Sequence, residues 1–220
     1  MLTDRISNIL FCPTIGSVQQ LKREGITKGV HLVGDVMADI LLQLVPGTGC
    51  QAPGAWHRYY LVTIHRNTNT DNPNQLKKIF QALASLDRKV IFPMHPRTRN
   101  VVRGDKSIQK IIAKSKNLKI MEPVSYFKML ELEKNSEGII TDSGGIQKEA
   151  FLLGVPCLTL RTETEWPETV HYGRNRLCSA DSHEILNAFS SMKKNFKKKV
   201  PPVYGRGNAA EKILSILNSL

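Results

Sequence analysis

The chain has few cysteines, four in 220 residues, and few aromatic residues, at 6%. Cys12, Cys50, Cys157 and Cys178 are widely separated. They offer neither metal-ligand spacing nor the dense pattern of a disulfide-stapled domain, so no metal is expected. Cys12 and Cys157 sit in apolar, strand-like runs, where cysteine is a small buried hydrophobe. Long apolar runs are also missing. None approaches the roughly 18–20 residues that span a bilayer. The opening MLTDRISNILF meets Asp4 and Arg5 before any apolar stretch, which does not fit a secretory leader. A cytoplasmic location without a membrane partner is expected. Internal repeats and low-complexity segments are absent as well. So are the phosphate-loop pattern GxxxxGK[ST] and the dinucleotide pattern GxGxxG.

What the chain has is positive charge and a soluble core composition. The formal net charge is +12 and 41% of residues are hydrophobic. The densest basic run, Lys193 to Lys199, precedes Pro201-Pro202 and reads as the exposed end of a helix entering a loop. Aromatic residues do not alternate with the basic ones as a single-strand platform would need. No nucleic-acid partner is expected.

Apolar runs alternate with helical patterns along the chain. Ile6 to Cys12, Val30 to Val33, Tyr59 to Ile64, Lys89 to Pro93, Leu118 to Ile120, Gly138 to Thr141 and Pro156 to Leu160 read as strands. Helices are expected over Ser17 to Glu24, Met37 to Leu44, Asn74 to Ser85, Ile108 to Ala113, Tyr126 to Lys134, Ile146 to Leu153, Ser182 to Lys193 and Asn208 to Leu217. Val45 to Trp56 is rich in Gly and Pro and reads as a linker. Strands that are continuous apolar runs, each followed by a helix, specify an α/β fold with a doubly wound parallel sheet. Three parts are expected: residues 1–45 as the remnant of another domain, 46–200 as a Rossmann-like domain, and 201–220 as a terminal loop and helix.

In such sheets ligands bind at the carboxyl ends of the strands, and four polar clusters lie there. In TDSGGIQKEA, Thr141 to Ala150, a strand runs through Ser143, Gly144 and Gly145 into a helix. The glycines admit close approach, and the helix start offers unpaired N–H groups to an anion. Glu149, further along the helix, could accept bonds from two neighbouring hydroxyls. A tight capped turn is the plain alternative. THE second cluster, TIHRNTNT, places His65 and Arg66 after a strand, suited to a phosphate contact or a general acid. In the third, FPMHPRT, Pro96 stiffens the loop, and Arg97 and Arg99 read equally well as solvated. LRTETEWPE, the fourth, carries Arg161, Glu163, Glu165 and Trp166, either lining a cleft or lying on the surface.

Taken in order, TIHRNTNTDNP, FPMHPRT, EPVSYFKML, TDSGGIQKEA, LRTETEWPET and YGRGNAAEKI resemble the carboxyl-terminal half of the non-hydrolysing UDP-N-acetylglucosamine 2-epimerases. The stretch FCPTIGSVQQLKREGI and then VHLVGDVMADIL resembles the segment leading into their interdomain crossover. The resemblance implies the second domain of a glycosyltransferase-B type fold. It also implies inversion at C2 of UDP-N-acetylglucosamine through loss and re-addition of UDP, with no cofactor. By position it makes His65 catalytic. Arg66, Met129, Ser143, Gly144, Gly145 and Glu149 become nucleotide-binding, Glu149 through the ribose and Met129 with Tyr126 beside the uracil. His95, Gln147 and Arg161 fall to a regulatory site or the cleft.

The chain departs from the family pattern at Thr68, where Glu is common, at Trp166, where Arg is common, and at Arg206, where an acid is usual. The acids that move the C2 proton belong to the family's amino-terminal domain. The expected partners are therefore a UDP-sugar, a second copy in the full-length protein, and an amino-terminal domain on a separate chain. A UDP-sugar glycosyltransferase domain of the same fold and a non-catalytic nucleotide-binding fragment are the alternatives.

Overall fold

The computed structural model describes residues 2–47, 59–194, 196 and 200–219, without the side chains of 45–47, 190 and 192–194. Of the expected linker Val45 to Trp56, residues 45–47 are helical instead, and the rest, with Cys50 and most of the basic run, lies outside the described residues. In chain order the elements are α1 (Leu2–Ile6), β1 (Leu10–Cys12), α2 (Ile15–Arg23), β2 (Val30–Leu32), α3 (Val36–Gly47), β3 (Tyr59–Thr63), α4 (Asn67–Thr70) and α5 (Pro73–Ala84). There follow β4 (Lys89–Pro93), α6 (Pro96–Gly104), α7 (Lys106–Lys114), β5 (Leu118–Met121), α8 (Tyr126–Lys134), β6 (Gly138–Thr141) and α9 (Gly144–Leu153). The last are β7 (Cys157–Thr159), α10 (Pro167–His171), β8 (Asn175–Leu177), α11 (Ser182–Lys194) and α12 (Ala209–Leu217). Among the described residues no helix is long and apolar enough to cross a membrane.

The chain divides into two compact units, 1–49 with 199–220, and 50–198. In the first, β1 and β2 pair in parallel, and α12 packs on α3. Asp39 of α3 accepts from the Ala210 amide at 2.8 Å, which satisfies an unpaired N–H at the start of α12. Gly34 and Gly205, both with positive φ, meet back to back, and a Cβ at Gly34 would lie 3.1 Å from the Tyr204 carbonyl oxygen. The expected strand from Ile6 is shorter: Ile6 closes α1, and only Leu10–Cys12 is extended. Ser7 caps the helix by donating its hydroxyl to the Thr3 carbonyl at 2.7 Å, and the single three-residue neighbour β2 gives a longer strand nothing to pair with.

The second unit holds a six-stranded, all-parallel sheet in the order β5-β4-β3-β6-β7-β8. Alternation along β3 shows why both faces are covered. Tyr60, Val62 and Ile64 pack on α5, α7 and α11 through Leu76, Ile79, Phe80, Ile108, Ile185 and Phe189. Tyr59 and Leu61 point the other way, to Leu132 of α8 and Ile146 and Ala150 of α9. The α5 stripe Leu76, Ile79, Phe80 and Leu83 has helical spacing. Its start is fixed by Pro73 and by the Asn72 side chain, which accepts from the amides of Asn74 and Gln75.

Sequence patterning passes over α1, α4, α6, α10 and β8. The reason for β8 is that Asn175 and Arg176 break the apolar run at a sheet edge. In α6 the polar PRTRN conceals a helix that begins at a proline, capped by His95 Nδ1 accepting from the Arg97 amide at 3.2 Å.

Candidate anion and nucleotide site

The chain winds from β3 outward through β4 to β5, then returns beside β3 to lay down β6, β7 and β8. The loops after β3 and β6 therefore leave neighbouring strands in opposite directions and open a crevice between them, the topological switch point where such sheets bind ligands. Thr63 and Thr141 end these strands side by side in register, their hydroxyls 2.6 Å apart. His65 and Arg66 follow one, and Ser143, Gly144 and Gly145 follow the other.

Asp142 ties the two loops together. Its side chain is fully buried. It accepts from the His65 amide at 3.1 Å, the Arg66 amide at 2.9 Å and Asn69 Nδ2 at 3.0 Å. Asn69 also donates to the Leu160 carbonyl at 3.1 Å, which joins the end of β7 to the same knot. His65 Nδ1 lies 3.3 Å from Asp142 Oδ1, and its ring lies beside that of His95, centroids 5.4 Å apart. Burial lowers the His65 pKa; Asp142 works against that shift, while His95 and Arg66 add to it. A neutral imidazole with Nδ1–H toward Asp142 leaves Nε2 free.

The first turn of α9 is the feature suited to an anion. Ser143 stands at its N-cap without a side-chain capping bond, and its own amide donates to Thr141 Oγ1 at 2.9 Å. The amides of Gly144, Gly145 and Ile146 have no intrahelical acceptor, and the helix dipole adds positive potential there. A Cβ built at Gly144 would lie 3.5 Å from Glu165 Oε2, 3.7 Å from Arg66 Nη2 and 3.7 Å from Trp166 Nε1. The loop after β7 therefore converges on this helix end. Arg161 holds Glu165 with two bonds of 2.8 and 2.9 Å, and Arg66 lies 3.9 Å away. The Arg161 bond keeps the Glu165 carboxyl below the usual range. Lys148 Nζ lies 4.1 Å from the Trp166 ring centroid, so the Trp faces a cation.

The remaining expected site residues are placed differently. Gln147 is buried, with Oε1 accepting from Thr164 Oγ1 at 2.6 Å and Asn175 Nδ2 at 3.1 Å. It braces the 164–166 loop against α9. Glu149 is 4% exposed and bonded to the Tyr126 hydroxyl. Met129 is half-buried against the inner cluster under α8 and α9. Arg97 and Arg99 are not merely solvated. Arg97 binds Asp71 at 2.7 Å and Thr70 at 3.0 Å, and Arg99 pairs with Glu122 and donates to the Met121 carbonyl at 3.1 Å. A cavity of about 890 Å³ opens beside the crevice, lined by Arg66, Asn67, Asn69, Lys78, Arg161 and Glu163 among others. Its lining includes none of Ser143, Gly144, Gly145 or Glu149, so it is distinct from the space over the first turn of α9.

Two acids at or beside the site escape the sequence reading: Asp142 and Glu133. Asp142 could be read as the one polar residue between a continuous apolar strand and a Ser-Gly-Gly turn. Glu133 lies four residues after Met129 and three after Leu130, a spacing that puts its carboxyl on the apolar face of α8.

One expectation concerns His65 alone. Because its pKa is lowered, the folded state favours the neutral ring; stability from this group is present above the unfolded pKa and lost as pH falls through the folded one. An NMR titration of the His65 Cε1–H should give a midpoint below that of free histidine. Asp142→Asn should lower it further, since Asp142 is the one cause that raises it.

A six-stranded parallel sheet with a polar crevice at its switch point, backed by a glycine-rich helix start and two arginines, defines the class of α/β domains that hold phosphate-bearing ligands. Within that class the chain belongs to the UDP-N-acetylglucosamine 2-epimerase family, whose model matches residues 1–218. A Methanococcus maripaludis UDP-N-acetylglucosamine 2-epimerase homolog is 41% identical over 100% of this chain and 63% of its own length. The UDP-2,3-diacetamido-2,3-dideoxy-D-glucuronate 2-epimerase of Pseudomonas aeruginosa is 36% identical over 100% of this chain and 62% of its own. The crystal structure of Methanocaldococcus jannaschii UDP-GlcNAc 2-epimerase in complex with UDP-GlcNAc and UDP superposes with a TM-score of 0.88 at 38% identity, covering 100% of this chain and 63% of that one. The fold is accordingly a Rossmann-like α/β fold of the glycosyltransferase-B type, and the chain spans about 63% of the length of such relatives.

Proposed function

We propose that the crevice holds the uridine diphosphate of a UDP-2-acetamido sugar, and that the complete protein inverts that sugar at C2, with UDP-N-acetylglucosamine and UDP-N-acetylmannosamine as the pair. The observation that carries this is the convergence of Arg66, the Arg161–Glu165 pair and Trp166 on the open first turn of α9. The diphosphate takes the α9 amides and the Ser143 hydroxyl, and Glu149 takes the ribose. Tyr126 and Met129 lie on the uracil side.

In the reaction, loss of the C2 proton and departure of UDP with the C1–O electron pair leave an unsaturated sugar; UDP then adds back with the proton on the opposite face. Donors fixed at a helix start stabilise the charge that develops on the leaving diphosphate and retain it for the return step. His65, neutral at rest, gains a proton more readily when diphosphate charge arrives, because nearby negative charge favours imidazolium. Its free Nε2 then donates to the leaving group.

The proton at C2 needs another base. Asp142 is buried in bonds to the β3 loop, Glu165 is held by Arg161, and Glu149 lies against Glu133 and Tyr126. The 220-residue chain is therefore expected to bind UDP without turning the sugar over, and the base belongs to an amino-terminal domain on the same or a separate chain. A homodimer and a cytoplasmic setting belong to the same reading. His95 serves a regulatory sugar-nucleotide site beside His65.

Calorimetry with UDP, UMP and uridine tests the phosphate side. Affinity should fall at least about tenfold for each phosphate removed, as expected for the loss of charge-assisted bonds. Equal affinity for uridine and UDP would overturn the assignment.

A further inference from the structure

Glu133 is fully buried in the last turn of α8, and neither of its carboxyl oxygens meets an N–H or hydroxyl donor. What it meets is the carboxyl of Glu149 on α9, within hydrogen-bond reach. Two carboxylates cannot bond to each other without a proton between them, and two buried like charges repel strongly. Glu149 also receives the Tyr126 hydroxyl, whereas Glu133 has no such donor. Burial and the Glu149 charge both push the Glu133 carboxyl well above the ordinary glutamate range, and Glu149 is raised less decisively, because its hydrogen bonds and Lys148 oppose its burial. The proton therefore resides on Glu133, which donates it, and Glu149 is the carboxylate.

The groups that face the pair are few. Tyr126 comes from α8 itself and Lys148 from α9. From the sheet comes the buried Cys157 thiol of β7, whose pKa burial raises to about 12, so it stays neutral. Tyr59 of β3 donates its hydroxyl to the Leu132 carbonyl at 2.6 Å, next to Glu133 in the chain.

We propose that Glu133 is a positioning residue for nucleotide recognition: as a neutral acid it donates to Glu149 from behind and aims that carboxylate at the ribose hydroxyls. The proposal rests on the reading of Glu149 as the ribose-binding group. It accounts for an acid placed in an apolar cluster with no conventional partner. It also adds a pH limit to ribose recognition: once the shared proton is lost, two carboxylates face each other and Glu149 loses its aim.

The test measures affinity for UDP and 2′-deoxy-UDP across pH, using the 220-residue chain. The unsubstituted protein should prefer UDP by about tenfold, the worth of one hydrogen bond to a charged group, and lose the preference as pH rises through the titration of the pair. Glu133→Gln supplies an amide donor that does not titrate, so the preference should persist at high pH. Glu133→Leu should abolish it at every pH. Glu149→Gln should abolish it too. If Glu149→Gln removes the preference and Glu133→Leu does not, the positioning role is wrong and the ribose reading survives. If Glu149→Gln leaves it intact, the ribose reading fails and takes the proposal with it. Should Glu133→Leu not fold, an identical pH profile for the unsubstituted protein and Glu133→Gln overturns the proposal by itself.

Discussion

Asp142→Ala is expected to destabilise the 50–198 unit by about 3–5 kcal/mol, because the His65 and Arg66 amides each lose a charged acceptor at about 1–3 kcal/mol apiece. The same change should remove measurable UDP binding. The side chain is fully buried and gathers the His65 and Arg66 amides and the Asn69 side chain. Alanine leaves the His65 and Arg66 amides without this acceptor and leaves Asn69 with the Leu160 carbonyl alone. It also frees the turn that carries His65 and Arg66, so two groups facing the anion lose their fixed positions together. Urea denaturation gives the stability change and calorimetry the binding. Asp142→Asn separates the two effects. It keeps the volume and one acceptor oxygen, but its amide nitrogen opposes N–H groups, so a smaller loss of stability is expected, with His65 still buried but without the neighbouring negative charge.

Gly144→Leu should behave in the opposite manner. Gly144 opens α9 and is not among the glycines with positive φ, so backbone strain does not require glycine there. The three atoms nearest a Cβ there belong to the Glu165, Arg66 and Trp166 side chains, at ordinary contact distances of 3.5–3.7 Å. Leucine is the better helix former, so stability should change by less than about 1 kcal/mol. The added side chain, however, fills the space over the first-turn amides. UDP affinity should fall by about 100-fold, equivalent to about 2.7 kcal/mol. Thermal unfolding and calorimetry on one protein sample read both. A variant that unfolds early, or one that binds UDP normally, would each count against the site as drawn.

Much of this was legible in the sequence, for physical reasons. The strands Tyr59–Thr63, Lys89–Pro93 and Gly138–Thr141 are apolar on both faces, which only a sheet covered by helices on both sides requires. Ser143, Gly144 and Gly145 were visible because a strand, two glycines and a helix follow one another without a gap. The less legible parts depend on long-range contacts. Asp142 meets partners more than 70 positions away, so nothing local distinguishes it from a turn residue. Arg97 and Arg99 look solvated until Asp71 and Glu122 are brought to them. The α10 and β8 elements are short and polar, held by a buried network of Thr159, Thr169, Asn175 and Gln147. The 1–49 unit leaves Leu2, Ile6, Ile15, Leu32, Val36, Ile40 and Leu42 exposed. Its expected strand from Ile6 shortened because β1 has only β2 to pair with.

Hydrogen–deuterium exchange on the 220-residue chain, with and without saturating UDP, tests the central claim most directly, because it reports on the amides that are said to hold the diphosphate. UDP should slow exchange in the peptide covering Ser143 to Gln147 and in the one covering His65 to Asn69, and uridine should protect neither. Protection confined to other peptides, or equal protection of these two by uridine, would contradict a diphosphate cradle at the start of α9.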